Sequence, residues 1–460
     1  MNILLLIMLF FIEVGLLVLT ISEGRTKELW TRNKLIARGA EIVAFLLFAL
    51  FPGIDFSFRY KVLIILLVIR LIMAAVGYLI MRYGRGKSDV QGVAKSIGAM
   101  TVSVIGSVIL IVVALAPSYL FADYNGLTPS GEYDVLTTSL IMVDDSRIEE
   151  FEDDGSFREV PVDFFYPDAE DGETFPLVIF SHGAFGFSRS NYSLYEELAS
   201  NGYVVASLSH PYHAFYCKDS SGKTVTVDQK FMNDTMYINE GGVSEAEIYE
   251  LTSKWMELRT DDMNFVIDTL ESWNETGDSN LSVLSYIDFD KIGLIGHSLG
   301  GATAVEVGRM RDDIDAVVNL DGTMLGEQIG LTDCDPYEFE GRMYTDKYEL
   351  DENPYPVAIL NIDNQEHHDS RIAAKEIGMP YANNGVMDHA VKGYDTYFVN
   401  SGHMNFTDLP LFSPYLASML GTGSIDSKEC IETMNQLVKS FYDDTLKGTG
   451  TFVVEESYGN

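Results

Sequence analysis

Apolar residues follow two regimes along this chain. Over the first 121 positions they form four long stretches, and beyond that they occur in short runs cut by polar turns. Ile3 to Ile21 is interrupted only by Glu13. About Leu35 to Phe51 contains Arg38 and Glu41 and ends at Pro52-Gly53. Val62 to Met81 is broken only by Arg70, and Ile97 to Phe121 carries no charge. Stretches of this length match the hydrocarbon thickness of a bilayer, so residues 1–122 are expected to be an all-α membrane region of about four transmembrane helices. The second is the shortest; its Arg38 and Glu41 lie one helical turn apart and are expected to pair. Gly98 and Gly106 are candidate helix-contact points. No basic residue precedes the first run and Ser22-Glu23-Gly24 is a poor cleavage site, so it reads as a retained helix and not a cleaved leader. Glu13, Glu41 and Arg70 are expected to pair inside an anchor, since one charge per helix is weak evidence for an ion pathway.

Asp123 to Glu132, with Asn125-Gly126 and Pro129-Ser130-Gly131, reads as a linker at 123–132, leaving 133–460 as a second domain. Thr137–Val143 and Val160–Tyr166 are β-rich and flank the acidic turn Glu152-Asp153-Asp154-Gly155, which predicts a hairpin. The turn lacks the ligand spacing of a calcium loop and reads as solvated. Strand-like runs at Pro176–Phe180, Tyr203–Leu208, Lys291–Gly296, Ala316–Leu320, Val357–Asn361 and Tyr394–Val399 then alternate with helical stretches at Tyr192–Asn201, Glu245–Trp273 and Cys430–Leu446. Such alternation predicts an α/β domain with a mostly parallel central sheet covered on both faces.

Charge divides at the same boundary. The first 121 residues hold 12 Lys and Arg and 6 Asp and Glu, so the acidity of the chain, −37 overall, lies entirely in the remainder. Such an acidic region repels phosphate backbones, which argues against nucleic acid as a partner and is otherwise a solubility feature. Arg25, Lys27, Arg32 and Lys34 follow the first apolar run, and Arg82, Arg85, Lys87 and Lys95 follow the third. Only Arg59 and Lys61 lie on the opposite side. The positive-inside rule puts both basic loops in the cytoplasm and the acidic domain outside a cell membrane. Cys217, Cys334 and Cys430 match no zinc pattern; a Cys217–Cys334 disulfide and three free thiols both remain open.

Gly296-His297-Ser298-Leu299-Gly300 falls between an apolar strand and a helix opened by small residues. A serine on such a turn is lifted clear of the sheet, and its flanking glycines let the backbone pass close by. The hydroxyl is a poor nucleophile without a base, so a histidine and an acid are sought downstream. Asp321 and Asp363 each follow a strand, and His403 follows another through Asn400-Ser401-Gly402. Ser298, Asp321, His403 is the chain order of an α/β-hydrolase triad. His367, His368 and His389 read as solvated surface residues, and His210 and His213 as pocket-lining ones. Backbone donors for an oxyanion are expected from the amide of Leu299 and, in the loop Ser181-His182-Gly183-Ala184-Phe185-Gly186, from that of Ala184. No metal or organic cofactor is required.

Phe180-Ser-His-Gly-Ala-Phe-Gly186, the Gly-His-Ser-Leu-Gly-Gly elbow, Asn319-Leu-Asp-Gly322 and Gly402-His-Met-Asn-Phe-Thr-Asp408 resemble the platelet-activating-factor acetylhydrolase family of α/β-hydrolases over about residues 130 to 448. The resemblance implies the acid on the strand after the nucleophile, hence Asp321 over Asp363, and supports His403 as the base. It also implies calcium-independent hydrolysis of short or oxidised acyl chains on phospholipids. The membrane region has no counterpart in that family, and the insertion Thr323 to Asn353 is longer than its pattern. Related esterases share the elbow, so it specifies ester hydrolysis more than any acyl group. A ligand-binding receptor or scaffold on a hydrolase fold, and an acyltransferase to an envelope acceptor, are the alternatives.

Overall fold

The computed structural model describes residues 1–460 except 25, 52, 53, 55, 84–95, 122–125, 171, 240, 242, 278–280 and 460. The Pro52-Gly53 turn, Arg25, Arg85, Lys87, Lys95 and the start of the expected linker lie outside the described residues. The chain packs as two compact units, 1–125 with 412–416, and 126–411 with 417–460.

The first unit contains helices α1 (Asn2–Ser22), α2 (Lys27–Phe48), α3 (Phe58–Tyr83) and α4 (Ile97–Leu120). Both α1 and α3 pack on α2 and on α4. Three of them, α1, α3 and α4, are long and apolar enough to cross a membrane. Helix α2 starts eight residues before the expected Leu35 and takes in Lys27, Glu28, Arg32 and Lys34, which dilutes its apolar half. Outward-facing apolar side chains such as Phe11, Met73, Ile80 and Val102 are well exposed.

Polar groups turn inward instead. Arg38 Nη1 donates to Glu13 Oε1 at 2.7 Å and to Glu41 Oε1 at 2.5 Å, and Arg70 Nη2 bonds Glu13 and lies 3.5 Å from Glu41. All four residues are buried, so the expected mutual pairing is realised. Among the described residues Gly98 and Gly106 are not helix-contact points: a Cβ at either would meet nothing within 4 Å. The contact face of α4 is instead Met100, Val104, Ile111 and Leu115.

The second unit is built on a nine-stranded sheet. In chain order its elements are β1 (Val135–Ile148), β2 (Phe157–Pro167), β3 (Phe175–Ser181), α5 (Tyr192–Ser200), β4 (Val204–Leu208), a short ribbon β5 (Tyr216–Lys218) and β6 (Thr224–Thr226), α6 (Gln229–Asn239) and α7 (Glu245–Thr276). There follow β7 (Ile287–His297), α8 (Leu299–Met310), β8 (Ala316–Leu320), β9 (Gln328–Phe339), β10 (Arg342–Leu350), β11 (Tyr355–Asn364), α9 (Gln365–Glu376), α10 (Ala382–His389), β12 (Ala390–Phe398), the C-terminal helix Ser427–Thr445 and β13 (Ser457–Tyr458). The sheet order is β1-β2-β4-β3-β7-β8-β11-β12-β13. β1 and β2 form the expected antiparallel hairpin, β2 runs antiparallel to β4, and every pairing from β4 onward is parallel. This is the α/β-hydrolase fold.

Apolar layers cover both faces. Met263, Val266, Ile267 and Leu270 of α7 join one cluster, and Leu194, Leu198, Val438 and Phe441 from α5 and the C-terminal helix join the other. Strands β3, β4 and β8 are buried along their whole length, which explains their uninterrupted apolar runs.

Three features refine the reading of this unit. Within the expected linker, Ser130 donates its amide to Glu197 Oε2 at 2.8 Å and Gly131 donates to Ser200 Oγ at 3.3 Å, docking this part on α5. The insertion Thr323 to Asn353 contains a two-stranded antiparallel ribbon, β9 with β10, outside the main sheet. The three cysteines are free thiols, so Cys217 and Cys334 are not paired.

Candidate active site

Ser298 stands between the end of β7 and the first turn of α8 with φ 56° and ψ −126°. A non-glycine residue in that region is strained and persists only where the surroundings over-determine it. The Ser298 amide donates to Leu320 O at 2.8 Å, and a Cβ on Gly296, Gly300 or Gly301 would collide with Gly300 O, Ser181 O or the Asn319 side chain respectively. The glycines flanking the serine are therefore steric requirements of the turn. Phe185, Tyr212, Asp321 and Asn400 also have positive φ, and all four follow the carboxyl ends of parallel strands.

Asp321 follows β8 directly, with φ 54°, and its amide donates to Ile362 O at 2.8 Å. Its carboxylate accepts from His403 Nδ1 at 2.6 Å, from the Asn364 amide at 2.8 Å and side chain at 2.5 Å, and from His367 Nδ1 at 3.1 Å. Burial opposes ionisation of Asp321, but the hydrogen bonds from His367 and then His403 outweigh it and hold the carboxyl well below its usual range. With Nδ1 donating, His403 keeps Nε2 as its basic nitrogen.

The histidine loop is stapled in place. Asn405 Oδ1 accepts from the amides of Gly402 at 2.9 Å and Gly423 at 2.8 Å, and Asp408 accepts from the amide and hydroxyl of Ser193, both at 2.6 Å. His297, beside the serine, lies with its Nε2 3.1 Å from His403 O, and their rings are 4.5 Å apart. Burial, with the neighbouring His403, pushes His297 down to about 3, so it is neutral and donates that bond. Among the described residues the Ser298 hydroxyl makes no hydrogen bond; such contacts commonly tighten only when substrate binds.

The loop after β3 reaches the serine from the other side. A Cβ on Gly183 would lie 3.1 Å from Ser298 Cβ and 2.9 Å from His297 Nδ1. Among the described residues the amides of Ala184 and Leu299 donate to no protein group. Beside them Phe231, Met256, Leu299 and Ala302 form an apolar cluster against which Ala184, Phe185, Trp255 and Leu325 pack.

Other expected residues fall differently. Asp363 is buried and ion-paired with Arg371, and among the described contacts it makes none to His403. His367 is not a solvated surface residue: its side chain is 11% exposed and bonds Asp321. His210 and His213 are both buried, His210 between Ser181 Oγ at 2.9 Å and Asp262 at 3.0 Å, and His213 stacked on Phe231 at 3.8 Å. Asp321, Asp363 and His367 bring ligand-type atoms within 4.8 Å of one another. The His367 Nδ1 proton and Arg371 already balance those carboxylates, which leaves a cation little to compensate. Arg259 lies on the buried stripe of α7 between Met256 and Met263, a place that helical periodicity marks and no motif does.

A bovine (Bos taurus) platelet-activating factor acetylhydrolase is 24% identical over 292 residues, covering 60% of this chain and 58% of that protein. A Cavia porcellus platelet-activating factor acetylhydrolase is 30% identical over 145 residues, covering 29% of this chain and 32% of that one. The chain thus spans less than two thirds of the length of these curated relatives. A solved ferulic acid esterase from Streptomyces cinnamoneus superposes with a TM-score of 0.49 at 20% identity, covering 70% of this chain and 93% of that one. The family model described as platelet-activating factor acetylhydrolase, isoform II, matches residues 165–456, from the end of β2 to the residue before β13. On that match, which takes in the serine elbow, the acid strand and the histidine loop together, the chain belongs to the platelet-activating factor acetylhydrolase, isoform II, family.

Proposed function

We propose that the chain is a serine ester hydrolase. Ser298 attacks the acyl carbon while His403 Nε2 takes its proton, and Asp321 orients the ring and stabilises the imidazolium. The amides of Leu299 and Ala184 receive the oxyanion, whose collapse breaks the ester C–O bond and expels the alcohol with the proton from His403; water, deprotonated by His403, then attacks the acyl-serine and releases the acid. The observation that carries this reading is the 2.6 Å contact between His403 Nδ1 and Asp321, beside a strained serine flanked by two unpaired amides. No metal or cofactor takes part in these steps.

The substrate class is a carboxylic ester with a short or phospholipid-like acyl group. Support comes from the apolar wall of Phe185, Phe231, Trp255 and Met256 beside the unpaired amides, and from the acetylhydrolases among the relatives. The first unit is a multi-pass anchor in the cell membrane, with the sheet-based unit on the extracytoplasmic side. The arrangement requires α2 to cross beside the three apolar helices, its Arg38 and Glu41 paired inside the unit; the excess of Lys and Arg after α1 and α3 then supports it.

A fluorophosphonate probe is expected to label wild type and not Ser298→Ala, and p-nitrophenyl acetate hydrolysis is expected to vanish with the label. A folded wild-type protein that never reacts would sink the reading in favour of a binding role. Protease added to intact cells is expected to cut the acidic unit; full protection overturns the outward topology.

A further inference from the structure

Gly183 and Ala184 share one peptide group, and in a trans peptide the C=O and N–H point in opposite directions. Whatever fixes the Gly183 oxygen therefore aims the Ala184 N–H. Three donors converge on that oxygen: His182 Nδ1 at 2.7 Å, the Gly186 amide at 3.0 Å and Arg259 Nη2 at 3.4 Å. The His182 tautomer is determined, because its Nε2 accepts from the His210 amide at 3.1 Å, leaving the proton on Nδ1. Arg259 also donates Nη1 to the preceding carbonyl, His182 O, and Nε to His213 Nδ1 at 3.3 Å. The His213 carbonyl in turn holds the Phe185 amide at 3.1 Å. Arg259 thus grips the loop at two successive peptides and, through His213, at a third point.

Arg259 is fully buried, and all three of its hydrogen bonds go to neutral acceptors. Asp262, one turn along α7, is already engaged by Arg158, Arg147 and His210. Burial lowers Arg259 to about 9, which leaves it charged at neutral pH. A buried cation with no carboxylate in contact is costly. Its field becomes favourable when a negative charge develops nearby, and a hydrogen bond to a carbonyl strengthens the N–H of the same peptide as a donor.

We propose that Arg259 is a positioning residue for ester hydrolysis, fixing and polarising the Gly183–Ala184 peptide so that the Ala184 N–H is aimed at the developing oxyanion. This rests on the serine hydrolase reading above. In the step concerned, the Ser298 Oγ–acyl carbon bond forms, the carbonyl π pair moves to oxygen and the hydroxyl proton goes to His403 Nε2. The negative charge exists only from that point, so Arg259 acts on kcat and little on KM.

The test compares full-length wild type with Arg259→Met, Arg259→Lys and Ser298→Ala. It uses p-nitrophenyl acetate as substrate and an aryl trifluoromethyl ketone, whose serine adduct carries an oxyanion, as inhibitor. Arg259→Met is expected to lower kcat by about 10²–10³, with KM within about two-fold and ketone affinity falling in parallel with kcat. Arg259→Lys keeps the charge without the planar fork and is expected to fall between; where the methionine variant does not fold, the lysine variant decides. A kcat within about three-fold of wild type, a loss confined to KM, or a kcat loss with unchanged ketone affinity overturns the proposal. Wild-type kcat in Ser298→Ala would overturn the serine reading itself, whereas an inactive Ser298→Ala beside a normal Arg259→Met overturns only the role of Arg259.

Discussion

Each unit buries a cluster of charges, and the two clusters are wired differently. In the helical unit Glu13, Glu41, Arg38 and Arg70 bond one another, two acids against two bases drawn from three helices. In the sheet-based unit Asp262 joins Arg147, Arg158 and His210, but Arg259 on the same helix turns away and ends on the carbonyls of the loop beside Ser298. The first network is closed on itself in charge, two acids balancing two bases, and it links three helices. The second is open at one end, and its uncompensated charge lies behind a peptide that faces the proposed reaction centre.

The largest test of that contrast is at the open end. Ser298→Ala is expected to reduce kcat on p-nitrophenyl acetate by on the order of 10⁴ or more, measured under saturating substrate. Asp321→Asn is expected to cost about 10⁴ by removing the charge that stabilises the imidazolium and letting an amide N–H impose the wrong His403 tautomer. Asp363→Asn, removing a carboxylate bonded to Arg371 and not to His403, is expected to stay within about ten-fold of wild type. Equal losses in the two aspartate variants would erase the distinction between them.

At the closed end, Glu13→Gln leaves two buried arginines short of a partner. A loss of about 3–5 kcal/mol of stability is expected, with kcat of the folded protein unchanged. Unfolding in detergent and steady-state kinetics on the same sample check both halves; a kcat loss without destabilisation would make the closed network part of the chemistry.

The smallest effect concerns His367. Burial would lower its pKa, but the carboxylates of Asp363 and then Asp321 outweigh burial and raise it above the ordinary value. Its charged pairing therefore stabilises the fold fully below about pH 6.5 and is lost as pH rises through the raised folded value. His367→Gln is expected to cost about 1.5–3 kcal/mol at pH 6 and less at pH 9, read by urea unfolding at both. A gap independent of pH would remove the charge from the account.

Much of this arrangement is legible in the chain itself. The strand at Ala316–Leu320, the helix from Glu245 and the hairpin were bounded to within a few residues, because their apolar periodicities report burial directly. Errors arose where contacts run between distant segments. By sequence His367 reads as one of several surface histidines, yet its side chain is 11% exposed. Asn364, capping α9 by accepting from the His367 amide at 2.9 Å, sets that side chain back toward Asp321. Residues 126–132 have linker composition, yet Glu197 and Ser200 of α5 bind them. The β9–β10 ribbon pairs only with itself and carries no clean apolar alternation, so its pattern was silent.

Sequence alone therefore determined the bipartite plan, the serine elbow with its glycines, and the order of serine, acid and histidine, since each depends on local sterics or on hydrophobic period. Tertiary structure decided which carboxylate meets His403, 82 residues from Asp321, and what becomes of Arg259, 76 residues from the carbonyl it holds. Hydrogen-bond direction and buried charge are properties of surroundings assembled from the whole sheet and its loops, and no local window of the chain contains them.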